Sequence, residues 1–445
     1  MMTKLCRTPF AILILSAHVF FPVTLSSVTD KALAGGAIDR VNFAKSEFLE
    51  PYYGSTLFNK FMETVPPAPG ASEMALKQAL LVESIDGNIT QQEHADLHFH
   101  PASTIKLATA LFALHRLGPD YTFSTSLATT GSINSATGVL NGDLFVSGND
   151  PAFRFEHAVA LAQALNQLGI KKVSGKIVVA PGFTINTESS SSLSANVLKL
   201  NLNKQTRSCQ ANEAFSIISD GASAGAFSLA VLGKAAVGST PAFARVLAVQ
   251  QSPTLREILK VLLCYSDNFM ADHLGALLGG PRALQKFLVQ GVGLPAASVY
   301  VNSNSGLGSD SITARSMMLV LRALREELGL YSLRLTDLLP VAGVDEGTLK
   351  KRFSELRRQA TVVGKTGTHI HNQGGISALV GETQTASGAF LFVIFNRHGN
   401  VPAFRARQDL FIKGLQDRLG GAKAWPYQAQ KLAVAMRVKC ARKGK

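Results

Sequence analysis

The chain has 445 residues, 46% of them hydrophobic and only 17% charged, with a formal net charge of +14. That apolar content supports a sizeable core and excludes general disorder, and the length suits one large domain or a few small ones. The basic residues are dispersed, without an interleaved aromatic repeat, which argues against nucleic acid and for acidic envelope polymers or anionic lipid as partners.

The N-terminus reads as an export signal. Lys4 and Arg7 lead an apolar stretch, Phe10 to Phe21, that is short for a membrane span, and Ala32-Leu33-Ala34 supplies a small-residue cleavage site. Residues 1–34 are expected to be a signal peptide; an uncleaved anchor is the other reading. Of the cysteines, Cys6 would leave with this segment. Cys209, Cys264 and Cys440 remain, at no metal-like spacing. One disulfide could form among them, and Cys264, inside a helical apolar pattern, reads as a buried thiol.

Residues 80–92, LLVESIDGNITQQ, read as a hairpin around Asp86-Gly87. PASTIKLATALFAL, 101–114, then reads as a helix that follows Pro101 and stops at Gly118-Pro119. From about 120 to 250 short strands and turns dominate, with a helix at Glu156–Leu168 and a polar, serine-rich loop at 187–196. Helical periodicity returns with Leu255, Ile258, Leu259, Leu262 and Leu263, and a second helix carries Met270, Leu274, Leu277 and Leu278 on one face. ATVVGKTGT (360–368), ISALVGE (376–382) and GAFLFVIFN (388–396) read as an antiparallel meander, covered by a helix over about 402–419.

This order predicts an α/β (α+β) sandwich of helices around an antiparallel sheet, with a β-rich inserted subdomain. The expected divisions are a discontinuous main domain, 35–119 and 251–420, an insertion, 120–250, and a basic tail, 421–445. The tail's scattered apolar residues allow weak contact with a membrane surface, although a solvated tail fits its thin apolar face better.

Three short motifs carry chemistry. Ser103 and Lys106 are three residues apart, so a helix projects them together. Burial disfavours an ammonium, and a neutral lysine amine can take a serine proton. The bland alternative is a capping serine and a lysine that snorkels to solvent. Ser266-Asp267-Asn268 falls at the join of two helices, where a tight turn would present a hydroxyl beside a carboxamide; an ordinary capping turn has the same composition. Lys365-Thr366-Gly367 lies on a strand, where a cation and a hydroxyl could hold a carboxylate and the glycine admits a ligand closely. An exposed hairpin edge is the plain reading there.

Singly each motif is weak. In the order S-x-x-K, S-D-N, K-T-G they match the active-site serine β-lactamases and penicillin-binding proteins. Further segments, FHPASTIKLATALFALHRLGPDYTF, GVLNGDLFVSGNDPAF, LPVAGVDEGTLKKRF and VGKTGT, resemble the class C low-molecular-weight penicillin-binding proteins, the D-alanyl-D-alanine carboxypeptidase/endopeptidase family, over about 78–415.

The resemblance implies a DD-peptidase-like fold, a periplasmic location and no metal or cofactor. It makes Ser103 the acylated nucleophile, Lys106 its base, and Ser266 and Asn268 the proton relay and a substrate ligand. Lys365 and Thr366 would hold the terminal carboxylate, with Gly367 beside them, and the N–H groups of Ser103 and Thr368 would form an oxyanion hole. The implied partners are peptidoglycan stem peptides and cross-links, and β-lactams that acylate the same serine.

The chain departs from the family pattern in three respects. Ser303-Asn304-Ser305-Gly306-Leu307-Gly308 stands where the family has Asp-Gly-Ser-Gly-Leu-Ser, so an acidic residue is missing. His369 replaces an aliphatic residue after the K-T-G-T run, and it or the nearby His371 would touch substrate or cap a loop. The stretch between Ser103 and Ser266 is also shorter than usual, so an inserted module would be reduced or missing.

Other classes fit less well. A class A β-lactamase lacks a suitable deacylating acid, since Glu326, Glu327 and Glu346 do not open an E-x-x-L-N loop, which argues against fast β-lactam hydrolysis and leaves a slow serine β-lactamase as the alternative. A non-catalytic penicillin-binding scaffold would not need every reactive side chain. A zinc peptidase would rest on His94, His98 and His100, whose spacing is not that of a zinc helix.

Overall fold

The computed structural model describes residues 77–218, 223–371 and 374–429. The expected signal peptide and the tail from residue 430 onward lie outside them.

The hairpin of the first described strands, β1 (Gln78–Ser84) and β2 (Ile89–Glu93), leads through a 3₁₀ turn at Ala102–Ile105 into helix α1 (Lys106–Leu117). Gly118, at φ +78°, ends this helix; a left-handed backbone there suits glycine. Strands β3 (Thr122–Thr129) and β4 (Leu144–Ser147), helix α2 (Phe155–Gln167), strand β5 (Ile177–Val179), helices α3 (Ser191–Leu202) and α4 (Cys209–Ile218), and strands β6 (Ala235–Val237) and β7 (Arg245–Thr254) follow. Then come α5 (Leu255–Tyr265), α6 (Asn268–Leu277) and α7 (Ala314–Gly329). The chain closes with β8 (Val362–His371), β9 (Gly374–Thr385), β10 (Gly388–Gly399) and α8 (Val401–Arg418).

The main sheet is antiparallel, in the order β8-β9-β10-β1-β2, so β8 forms one edge. Side chains alternate across it. Leu80, Val82, Phe392 and Ile394 pack toward Ile412 and Leu415 of α8. Leu81, Leu391, Val393 and Phe395 join the larger core of α1, α5 and α7. The unbroken apolar run of GAFLFVIFN is thus a strand buried on both faces, not an amphipathic one.

Residues 122–254 build a second, mixed sheet in the order β6-β5-β4-β3-β7, with the three strands β4, β5 and β6 parallel. It has its own core, including Leu127, Val146, Leu161, Leu165, Ile177 and Leu198. One expectation fails here. The serine-rich stretch at 187–196 is largely helical: Ser190 caps α3 by accepting from the Leu193 N–H, and Ala195, Leu198 and Leu202 are buried. Serines that look like a loop in sequence cap the helix at Ser190 and face solvent at Ser192, while Ser194 is buried. No helix among the described residues is long and apolar enough to cross a membrane.

Cys264 is buried on α5, and burial pushes its thiol up to about 12, an inert state. Cys209 takes part in a disulfide. Leu277, expected on the buried face of its helix, is exposed, while Met270 and Leu274 are fully buried.

Candidate active site

Every motif residue is brought into one cleft between α1, the α5–α6 join and the edge strand β8. Lys106 opens α1 and is fully buried. Its Nζ lies 2.9 Å from Ser103 Oγ and 2.6 Å from Asn268 Oδ1, and it also donates to the Ser305 carbonyl. A neutral amine has two N–H donors and one lone pair. The carboxamide and carbonyl oxygens can occupy the donors, which leaves the lone pair for the Ser103 hydroxyl.

Burial lowers the Lys106 pKa to about 7, partly opposed by the charges of Asp272, Asp267 and Asp310. Desolvation therefore outweighs three nearby carboxylates, and a substantial fraction of the amine is neutral near physiological pH.

The α5–α6 join is built by capping. Thr254 and Glu257 form a capping box at the start of α5, whose apolar face, Ile258, Leu259, Leu262 and Leu263, is fully buried. The helix stops at Ser266, which adopts a left-handed conformation at φ +59°. Asp267 then caps α6, its Oδ1 accepting from the Met270 N–H at 2.9 Å. Its other oxygen receives Arg154 Nη2, from the 122–254 segment, at 2.8 Å. The turn is thus fixed from both sides, and Ser266 and Asn268 reach into the cleft.

Across from them, Lys365 of β8 is fully buried and donates to Ser266 Oγ at 2.8 Å and to the Thr366 carbonyl at 2.7 Å. Burial and the charge of Lys106 hold its pKa well below the usual lysine value. The side chains form two hydrogen-bonded sets that face each other, Ser103–Lys106–Asn268 and Ser266–Lys365.

Two glycines make the cleft narrow. A Cβ on Gly367 would stand 2.6 Å from the Pro101 carbonyl oxygen, so only glycine lets β8 run this close to the serine turn. Gly306, at φ +87°, lies against the same turn: a Cβ there would meet the Ala102 carbonyl oxygen at 2.1 Å. The N–H of Gly364 leaves the outer edge of β8 to bond the Pro340 carbonyl at 3.2 Å. By the period of two along a strand, the N–H groups of Thr366 and Thr368 leave by that same edge.

Three positions escaped the sequence reading. Asp272 lies one helical turn beyond Asn268 and accepts from the Asn304 N–H at 3.0 Å. Asp310 supplies the acid that the loop at 303–308 lacks. It accepts from the N–H groups of Asn302 and Ser303 and from the Ser303 hydroxyl, and Ser303 Oγ accepts from the Gly306 and Gly308 N–H groups at 2.8 and 3.1 Å. Arg405 of α8 donates to the Thr368 hydroxyl at 2.9 Å. None stands in a motif, so only their distance in space reveals them.

The histidines do not gather as a metal site. His94 bonds the Gln78 carbonyl and His98 the Ser311 hydroxyl. His100 lies 2.7 Å from the Gly308 carbonyl through Nε2 and accepts from the Ala102 N–H through Nδ1. That pairing places its proton on Nε2 and ties the serine turn to the loop. His369 stacks on His100 with ring centroids 5.0 Å apart. Among the described residues no group of three or more His, Cys, Asp or Glu is placed to hold a metal ion.

The sequence model of the D-Ala-D-Ala carboxypeptidase 3 (S13) family matches residues 73–196 and 222–412. The D-alanyl-D-alanine carboxypeptidase of Actinomadura sp. (strain R39) is 29% identical over 207 residues, 43% of this chain and 38% of that protein. The chain therefore spans well under half the length of this curated relative. Among solved structures, a predatory endopeptidase of Bdellovibrio bacteriovorus, in complex with an immunity protein, superimposes with a TM-score of 0.68 at 22% identity, covering 79% of this chain and 96% of that one. Penicillin-binding protein 4 of Haemophilus influenzae gives a TM-score of 0.57 at 20% identity, covering 80% and 99%. These likenesses establish the fold.

Proposed function

The chain belongs to the D-Ala-D-Ala carboxypeptidase 3 (S13) family, and from that premise we propose that it is a serine peptidase that cleaves the bond after a D-alanine in peptidoglycan stem peptides. The observation that carries the reading is the buried Lys106 amine at 2.9 Å from Ser103 Oγ, with a pKa lowered to about 7.

Each motif residue then has a role. Neutral Lys106 takes the Ser103 proton as Oγ attacks the carbonyl carbon. General-base help of this kind contributes roughly 10²–10⁴-fold. The Ser103 and Thr368 N–H groups face the developing oxyanion, where a single donor is worth roughly 10²–10³-fold. Ser266, bonded by Lys365 Nζ at 2.8 Å, relays to the leaving amine the proton that Lys106 took from Ser103, so that Lys106 and Ser266 both end the step as they began it. Asn268 binds the substrate amide, and Lys365, Thr366 and the space beside Gly367 receive the terminal carboxylate. The C–N bond breaks, D-alanine leaves, and water attacks the Ser103 ester to restore the enzyme.

The same geometry suits β-lactams, whose strained amide opens on Ser103. One relative, the Bdellovibrio endopeptidase, has been solved acylated by penicillin G. Cross-linked peptidoglycan offers a chemically similar bond, so endopeptidase activity belongs to the same reading. A cell-wall substrate places the enzyme outside the cytoplasm, with export through residues 1–34 into the periplasm.

Intact-mass measurement after penicillin treatment tests the assignment. The wild-type chain gains one penicilloyl mass, Ser103→Ala gains none, and wild type releases D-alanine from purified peptidoglycan. A wild-type chain that takes no label and releases no D-alanine would refute the reading.

A further inference from the structure

Arg405 stands at the end of the K-T-G-T strand without a carboxylate. It projects from the second turn of α8, and its Nη2 donates to the Thr368 hydroxyl at 2.9 Å. Its natural partner on the same helix would be Asp409, four residues on. That acid is already taken: Arg352 Nε donates to Asp409 Oδ1 at 2.9 Å, and the two form an ion pair. Arg352 also donates to the Arg405 carbonyl and to Gln408 Oε1. Among the described residues no acid lies within ion-pair distance of the Arg405 guanidinium.

The side chain is half-buried, and burial together with the charge of Arg352 lowers its pKa, against the pull of Asp409. A guanidinium carries five N–H donors in a fixed fork, and a single neutral hydroxyl occupies one. A partly desolvated cation in this state favours an anion that can accept two parallel bonds.

We propose that Arg405 is a carboxylate-recognition residue, which adds a second cation, on the α8 side of the strand that carries Lys365, to the pocket that receives the C-terminus of the substrate. The inference rests on the peptidase reading and deepens it. A cationic pair around Thr366 and Thr368 favours peptides that end in a free carboxylate over those whose chain continues past the scissile bond.

The experiment compares two acylated tripeptides that differ only at the last group, D-Ala-D-Ala with a free carboxylate and the same peptide as its C-terminal amide. Each is scored by kcat/KM, or as a competitor of penicillin labelling where it is not cleaved. Arg405→Gln is expected to lose roughly tenfold to hundredfold on the carboxylate peptide, the scale of one charge-assisted bond, with the amide little changed. Arg405→Lys should recover part of the loss, because a point charge replaces the fork.

Equal losses on both peptides, or none on the carboxylate peptide, overturn the proposal while wild-type labelling of Ser103 leaves the peptidase reading standing. A wild-type chain inert to both peptides and to penicillin overturns both. Should Arg405→Gln fail to fold by thermal melting, Arg405→Lys carries the test: its smaller loss must be confined to the carboxylate peptide, and an equal loss on both overturns the proposal.

Discussion

Arg154 and Asp267 form a buried ion pair, Nη2 to Oδ2 at 2.8 Å, that joins the 122–254 segment to the turn carrying Ser266 and Asn268. The pair belongs to two levels at once. It satisfies a buried carboxylate, and it sets the position of the two side chains that face Lys106 and Lys365.

Removal of one partner leaves the other charged and buried. Arg154→Ala should therefore cost about 3–5 kcal/mol of stability, well beyond a surface pair. Urea denaturation measures it. The folded fraction should also acylate more slowly with penicillin, because the turn that holds Ser266 loses its outer tie. A loss under about 1 kcal/mol with unchanged acylation would refute this account.

The loop at 303–308 offers a second test. Asp310 accepts three hydrogen bonds, from the Asn302 N–H at 2.7 Å, the Ser303 N–H at 2.9 Å and the Ser303 hydroxyl at 2.7 Å. Asp310→Ala leaves these donors poorly satisfied, at about 2–4 kcal/mol in total. The Ser305 carbonyl that receives Lys106 rides on this loop, so labelling of Ser103 should slow as well. Asp310→Asn, which keeps an acceptor, should recover much of the stability. If alanine and asparagine variants were equally stable and equally fast, the loop would not depend on this acid.

The juxtaposition of the motif side chains was legible in sequence because each motif is local. A spacing of three puts Ser103 and Lys106 on one helical face, and Ser266-Asp267-Asn268 carries its own stop and cap. The meander of β8, β9 and β10 was legible from its length and its β-branched, aromatic runs. What could not be read depends on distance across the fold. Asp310 replaces a loop acid from seven positions past Ser303, with no period to announce it. Arg154 and Arg405 lie far in sequence from Asp267 and Thr368. The helix at Ser191–Leu202 was hidden because its first turn is rich in serines, which favour loops as readily as caps.

The last prediction concerns pH. Lys106 acts as a base only when neutral, and its pKa is lowered to about 7, chiefly by burial. Below that pH the amine is protonated and the Ser103 proton has nowhere to go, so the acylation rate should rise with pH through about 7 and then level. Asp272 is the strongest of the three carboxylates that oppose this lowering. Its negative charge favours the ammonium, so neutralising it must lower the Lys106 pKa further. Asp272→Asn keeps an acceptor for the Asn304 N–H and should move the acid limb of the penicillin acylation profile to lower pH, with more of the enzyme active at pH 6. Stopped-flow labelling between pH 5 and 9 reads the midpoint directly. A shift to higher pH would mean that another group governs the limb, and a midpoint unmoved in Lys106→Met would remove the lysine from the role of base.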